Sequence, residues 1–211
     1  MSVIKLEKIC KKYDDKIIFS DFNLEIEQGE FVSIMGASGA GKSTLLNIIG
    51  LLERPDAGRV IIHETKNANI YNRNGRFLLR NNIAYLFQNY GLVENESVFY
   101  NMDISARFLK LSKLQKTTVI LDALEKVGLS GFENKKVFKL SGGEQQRVAL
   151  AKIMVKSSDI ILADEPTGSL DDVNKSAVLA LLKKLNDEGK TIIVVTHDKV
   201  VNGCAGRKIS I

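Results

Sequence analysis

The sequence predicts an α/β fold with a block of helices inserted in it. Three observations carry that prediction. Phe31-Val32-Ser33-Ile34-Met35 is an apolar run of strand length, a glycine-rich turn follows at 36–44, and Leu45, Ile48, Ile49 and Leu52 then recur at i, i+3, i+4 and i+7, so strand, turn and helix come in succession. Ile160-Ile161-Leu162-Ala163 and the β-branched run 191–195 read as two further buried strands. Between these parts, residues 97–156 lose the strand pattern and take up helical spacing.

The elements can be justified in order. Residues 1–35 read as two or three strands, broken by turn signals at Asp14-Asp15 and Gln28-Gly29. Phe22, Leu24 and Ile26 alternate with polar residues, as in a half-buried strand. After the helix at 45–52, Arg54-Pro55-Asp56-Ala57-Gly58 is a turn, 59–63 a strand, and the asparagine-rich 67–74 a loop. Ile83-Ala84-Tyr85-Leu86-Phe87 is a short strand ending at Gln88, and 89–96 is loop-like. Ser97 can cap a helix with Met102, Ala106 and Leu109 on one face. Ile120, Leu124 and Val127 share a face of another helix, with Gly128 suited to its C-terminal end. Val178, Leu181, Leu182 and Leu185 form a later stripe closed by Gly189. The expected organisation is a single domain over 1–211. Residues 1–88 and 157–211 make an α/β core with a β-subdomain, and 89–156 make a helical subdomain.

Bulk properties narrow the class. The composition is that of an ordinary globular chain, with 45% hydrophobic and 26% charged residues. No apolar run reaches the ~18 residues of a membrane helix, and residues 1–12 do not read as a signal peptide, so a cytosolic protein is expected. Cys10 and Cys204 have no ligand-like neighbours and are expected to be free thiols. The net charge of +5 comes from scattered basic residues without interleaved aromatics. Solubility accounts for it better than a nucleic-acid platform.

The chemistry resides in a few stretches. Gly36-Ala37-Ser38-Gly39-Ala40-Gly41-Lys42-Ser43-Thr44 matches G-x-x-x-x-G-K-[ST], a phosphate-cradling loop. Its backbone N–H groups and the helix dipole favour anions. Lys42 is expected at the β- and γ-phosphates and the Ser43 hydroxyl on Mg²⁺. Asp164-Glu165 ends an apolar strand. Asp164 can hold Mg²⁺ there, and Glu165 can orient or deprotonate an attacking water, worth roughly 10²–10⁴-fold in rate. Gln88 can touch a metal or a water while moving with its loop. Ser141 and Glu144 form a capping box ahead of a helix. Gly142 and Gly143 behind it suggest that a second phosphate approaches closely. In an open α/β sheet, ligands bind at the carboxyl ends of strands. The strand ends at Met35, Ala163 and Val195 would bring Lys42, Asp164-Glu165 and His197 to one edge, with His197 near the γ-phosphate. Tyr13 can stack on an adenine face, although its spacing alone equally suits a tyrosine against the sheet. His63 has no carboxylate-rich motif nearby and reads as a surface or edge residue.

In this order, these residues resemble the ATP-binding subunit of ABC transporters over nearly the whole chain. The Walker A loop lies at 36–44, the Q-loop at Gln88 and the signature LSGGEQQR at 140–147. Walker B follows as ILADEPTGSLD, its last residues forming the D-loop that ends at Asp171, and His197 is the H-loop. The resemblance implies a RecA-like P-loop NTPase core with an N-terminal antiparallel β-subdomain and an inserted helical subdomain. It implies ATP and Mg²⁺ as ligands, with Tyr13 stacked on adenine and the metal near Ser43, Gln88 and Asp164. It implies Glu165, His197 and Gln88 as the catalytic set. Ser141, Gly142 and Gly143 would complete the nucleotide site from a second copy, giving a head-to-tail homodimer around two ATP molecules, and Asp171 is counted among the nucleotide-binding residues. The partner implied is an integral-membrane permease subunit, with the chain peripheral on the inner face of the cell membrane and no nucleic acid bound.

The chain is most similar to the group serving MacB-type and lipoprotein-releasing exporters, which implies export of a peptide, lipoprotein or drug-like substrate. Residues 89–96 are similar to exporters of the lactococcin 972 type. A division-type ATPase coupled to a membrane protein is the alternative. DNA-repair and chromosome-organising relatives need a long coiled coil between Walker A and the signature, and the roughly 96 residues there show no sustained heptads. Fourteen residues follow His197, leaving no room for the regulatory region of long-tailed importers. Lys156-Ser157-Ser158 lacks the proline often found before Walker B.

Overall fold

A computed structural model describes residues 1–168 and 170–211. In chain order, β1 spans Ser2–Tyr13, β2 Lys16–Glu27 and β3 Phe31–Met35. Then come α1 Lys42–Ile49, β4 Ala57–Ile62, β5 Thr65–Lys66, α2 Arg73–Asn81 and β6 Ile83–Leu86. The helical stretch holds α3 Val98–Ala106, α4 Lys113–Lys126, a 3₁₀ turn at Val137–Lys139 and α5 Gly142–Val155. The remainder is β7 Ile160–Asp164, α6 Asp172–Asp187, β8 Thr191–Val195, α7 Lys199–Cys204 and β9 Arg207–Ser210.

Two sheets form. One is antiparallel in the order β2-β1-β4-β5, and the other is wholly parallel in the order β6-β7-β8-β3-β9. Parallel strands covered on both faces are apolar throughout, and β8 is buried along its whole length. Helix α1 sits between the sheets. Its Leu45, Leu46, Ile48 and Ile49 join one apolar cluster with Ile4, Leu6, Ile26 and Ile62 of the antiparallel sheet and Val32, Ile34, Leu162 and Ile193 of the parallel one. The other face of the parallel sheet is covered by α5, α6 and α7 through Leu150, Ile153, Leu182, Leu185 and Val201. Helix α5 also turns Val148, Ala151 and Val155 toward α3 and α4. It is therefore the shared wall between the helical block and the sheet.

Several elements differ from the sequence reading. Helix α1 stops at Ile49, because Gly50 caps it and Leu51 takes φ 58°. Leu52 thus lies beyond the helix and is exposed. The strand expected at 59–63 begins earlier, at Ala57. Gly58 within it has φ 95°, and a side chain there would strike the carbonyls of Glu7 and Lys8. The asparagine-rich stretch is loop only as far as Asn72, whose side chain accepts from the Gly75 N–H and caps α2. Leu109 falls past the end of α3. His63 lies part-exposed just past the end of β4, as a surface or edge residue, and its Nε2 is 2.6 Å from Asp159 Oδ2.

Helix α5 ends with a lysine in an unusual setting. Lys156 Nζ donates to the carbonyls of Leu79 and Ile83, tying α5 to the α2–β6 junction. Burial, reinforced by Lys152, pushes its pKa down from 10.5 to about 8. Between those values the unfolded chain holds a proton that the folded chain has shed. Stability from this group therefore rises with pH across that window and is lowest below about 8. Lys156→Met removes the penalty of burying the charge. The melting temperature of the variant relative to wild type is expected to be highest at pH 7 and to fall steadily toward pH 10, as thermal denaturation at each pH would show.

Candidate nucleotide site

The parallel register builds the site. Val195 at the end of β8 is level with Asp164 of β7 and with Ile34 of β3. The loop after β3, the carboxylates after β7 and the residues after β8 therefore open on the same edge. Gly41 precedes α1 with φ 97°, and a side chain there would collide with Ile18 and Phe19 of β2. Glycine is thus required on two counts, backbone angle and space. At the same turn, Lys42 Nζ donates to Gly36 O at 2.9 Å and to Ala37 O at 2.8 Å, drawing the start of the loop toward its end. Lys16 of β2 donates to Gly39 O at 3.1 Å and supports the tip. Ser38, Ala40 and Thr44 complete the expected cradle around these groups.

Ser43 Oγ donates to Asp164 Oδ1 at 3.3 Å, joining the first turn of α1 to the end of β7. Burial, with Glu165 adding to it, raises the Asp164 carboxyl above its ordinary range, while Ser43 and Lys42 act in the opposite sense. A hydroxyl and a carboxylate at a helix N-terminus suit Mg²⁺, which takes few protein ligands and fills its shell with water and phosphate oxygens. No group of three or more His, Cys, Asp or Glu side chains suited to a metal occurs among the described residues. Gln88 is exposed in the turn after β6, and its side chain makes no hydrogen bond to Ser43 or Asp164.

Glu165 has φ 46°, an uncommon conformation for a residue with a side chain. Its N–H donates to Val195 O at 2.9 Å, pinning it to the end of β8. The carboxylate is mostly buried. Its Oε1 lies 2.8 Å from His197 Nδ1, and its Oε2 accepts from Thr196 Oγ1 at 3.3 Å. A carboxylate can only accept, so Nδ1 carries the proton, and the exposed Nε2 faces outward. His197 is thus placed on Glu165, and it can donate to a phosphate from Nε2 only as the imidazolium. Thr196 was not anticipated from the sequence. Its position between His197 and the apolar strand was the available signal.

The signature turn caps α5 as expected. Ser141 Oγ accepts from Glu144 N–H at 3.3 Å, and Glu144 Oε2 accepts from Ser141 N–H at 2.7 Å. That bond from Ser141 is the main reason the Glu144 carboxyl sits below its ordinary range. Ser141 and Gly142 are exposed. Within the chain the second glycine also meets a close neighbour. A side chain on Gly143 would lie 2.8 Å from Asn174 of the same chain, so close approach by a ligand is not the only reason for glycine there. Asn174 also accepts from Arg147, and its Nδ2 donates to Asp171 Oδ2 at 2.7 Å. Asp171 in turn caps α6 by accepting from Asn174 N–H at 2.9 Å. Buried Gln146 donates to Pro166 O at 2.7 Å. The signature helix is therefore attached twice to the segment following β7. Asn174 was missed because nothing in its local sequence marks it as a bridge. Ser169 of the D-loop lies outside the described residues. Tyr13 stands at the end of β1, half exposed, with its hydroxyl bonded to Glu53.

The family model described as ABC transporter matches residues 19–168. The macrolide export ATP-binding/permease protein MacB of Bartonella quintana is 40% identical over 213 residues, covering 99% of this chain and 32% of that protein. The chain thus spans about a third of the length of its MacB relatives. The ABC transporter ATP-binding protein MJ0796 of Methanocaldococcus jannaschii is 42% identical over 205 residues, covering 93% of this chain and 87% of that protein. A dimeric post-hydrolysis structure of the MJ0796 cassette bound to ADP and Pi aligns with a TM-score of 0.89 at 38% identity, covering 99% of this chain and 94% of that one.

The contact between Gly143 and Asn174 has a measurable consequence. Gly143→Ala should lower thermal stability, by about 1–3 kcal/mol as for an overpacked contact. Combining it with Asn174→Ala should recover part of that loss, so a double-mutant cycle by chemical denaturation is expected to be non-additive.

Proposed function

The chain belongs to the ABC transporter family, and from that premise we propose that it binds MgATP and hydrolyses it to drive a membrane partner. The observation that carries this reading is the Glu165 carboxylate, held by His197 and Thr196 beside the Ser43–Asp164 pair. The phosphates would lie against the backbone of 36–44, with the Lys42 ammonium drawn from its carbonyl contacts onto the β- and γ-phosphates. Ser43 and Asp164 would hold Mg²⁺, which when bound neutralises phosphate charge and polarises the γ-phosphoryl group. Glu165 takes a proton from water as the oxygen attacks γ-phosphorus and the bond to the bridging oxygen breaks, giving ADP and phosphate. His197 and Thr196 keep the accepting carboxylate aimed at that water. Gln88 would join the site when its loop moves.

The exposed capped turn at Ser141 and Gly142 supports a head-to-tail homodimer in which each copy covers the ATP of the other, Asp171 lying at the same interface. The dimeric state of the MJ0796 cassette is in keeping with this. Among the described residues no helix is long and apolar enough to cross a membrane, and the MacB relatives are named as joined ATP-binding and permease proteins. From the likeness to those relatives we assign this chain an integral-membrane permease partner and a place on the inner face of the cell membrane. The export reading, for a peptide, lipoprotein or drug-like cargo, rests on the likeness to MacB.

Glu165→Gln keeps the binding groups and removes the base. Its ATP turnover is expected to fall by about 10²-fold or more, and size-exclusion chromatography with ATP and Mg²⁺ should show a stable dimer. Hydrolysis at the wild-type rate would refute the role of Glu165. Lys42→Ala should instead lose nucleotide binding in a calorimetric titration.

A further inference from the structure

The strand end bearing Tyr13 is laced to the segment that leaves α1. Asp56 N–H donates to Cys10 O at 2.9 Å, and Lys12 N–H donates to Asp56 Oδ2 at 2.8 Å. Lys11 Nζ lies 2.9 Å from Glu53 Oε1 and 3.6 Å from Asp56 Oδ1, and it donates to Arg54 O at 3.1 Å. The same Glu53 oxygen accepts from the Tyr13 hydroxyl. Lys11 Nζ also stands 5.0 Å from the centre of the Tyr13 ring. The Lys11 and Glu53 side chains are 11% and 22% exposed, whereas Tyr13 is 44% exposed, so the clamp is covered and the ring is open. Across the hairpin Tyr13 pairs with Lys16, the residue that supports Gly39 of the phosphate loop.

We propose that Glu53 and Lys11 are positioning residues that lock the Tyr13 ring in one orientation as a preset platform for the base of a bound nucleotide. The proposal rests on the nucleotide-binding reading above. A tyrosine free to rotate loses rotamer freedom when a base stacks on it, and a ring already fixed avoids that loss. An ammonium at one ring face leaves the other for a flat partner. Glu53 holds the hydroxyl and Lys11 covers one face of the ring, so the two residues act on the base only through Tyr13. Because stacking tolerates any base, the clamp contributes affinity without selecting adenine over guanine.

The test compares ATP with tripolyphosphate, which carries the phosphates but no base, by titration calorimetry on the intact protein. Glu53→Ala and Lys11→Met are each expected to raise the Kd for ATP and for GTP by about three- to tenfold. Tripolyphosphate binding should change less than twofold. Tyr13→Ala should weaken ATP at least as much, and Tyr13→Ala with Glu53→Ala should be no worse than Tyr13→Ala alone. Equal losses for ATP and tripolyphosphate, or losses that add in the double variant, would overturn the clamp and leave a merely structural staple. If Tyr13→Ala does not alter ATP affinity while Lys42→Ala abolishes it, the clamp fails and the nucleotide reading stands. If Lys42→Ala also has no effect, the nucleotide reading itself fails.

Discussion

Val195 sits level with Asp164 on one side and with Ile34 on the other, and every group of the site depends on that register. Side chains alternate faces along a strand, so a slip of one residue would send Asp164 into the wrong layer and carry Glu165 away from Val195 O. The register is protected by burial. Ile160, Ile161, Leu162 and Ala163 of β7 and Ile192, Ile193 and Val194 of β8 are all fully enclosed. A slipped strand would have to exchange both of its covering layers at once. The chemistry at the sheet edge is therefore stabilised by apolar contacts that touch no polar group of the site.

Helix α5 carries a second constraint. It must present apolar residues to the sheet with one stripe and to α3 and α4 with another, which is why it is buried nearly all round past its first turn. Its polar first turn is then free to emerge at the surface with Ser141 and Gly142. Gln146 and Arg147 anchor that turn to Pro166 and, through Asn174, to Asp171. The signature and the segment after Glu165 are thus parts of one connected body.

Much of this was legible in the sequence, and the reason is local. The phosphate loop, the β7 carboxylates and the capping box are each written in fewer than ten consecutive residues. Strand burial is written in β-branched runs, so the α/β class and the edge that gathers Lys42, Asp164, Glu165 and His197 could be read directly. What escaped was either weakly patterned or long-range. Helix α2 hides because its cap, Asn72, stands in an asparagine-rich stretch that reads as loop, and its nine residues bury only Gly75 and Leu78. The His63–Asp159 pair, the Asn174 bridge and the Glu53–Tyr13 bond each join residues distant in the chain and separated by whole elements. No local spacing signals such a partner. For Gly143 the sequence offered a ligand-based reason and concealed a steric one.

The backbone at Glu165 brings these points together. A non-glycine residue in the left-handed region costs about 1–3 kcal/mol and persists only where its surroundings compel it. Here the compulsion is visible. The amide is bound to Val195 O, the carboxylate is bound to Thr196 and His197, and the three partners are the last residue of β8 and the two that follow it. In that conformation the chain turns away from β7 immediately after Asp164. Two adjacent residues can then serve different ends, Asp164 facing Ser43 and α1 while Glu165 faces β8. In an extended strand they would also point apart, but to opposite faces of the sheet. The strained turn lets both stay at its edge, where the proposed triphosphate and water would meet them together.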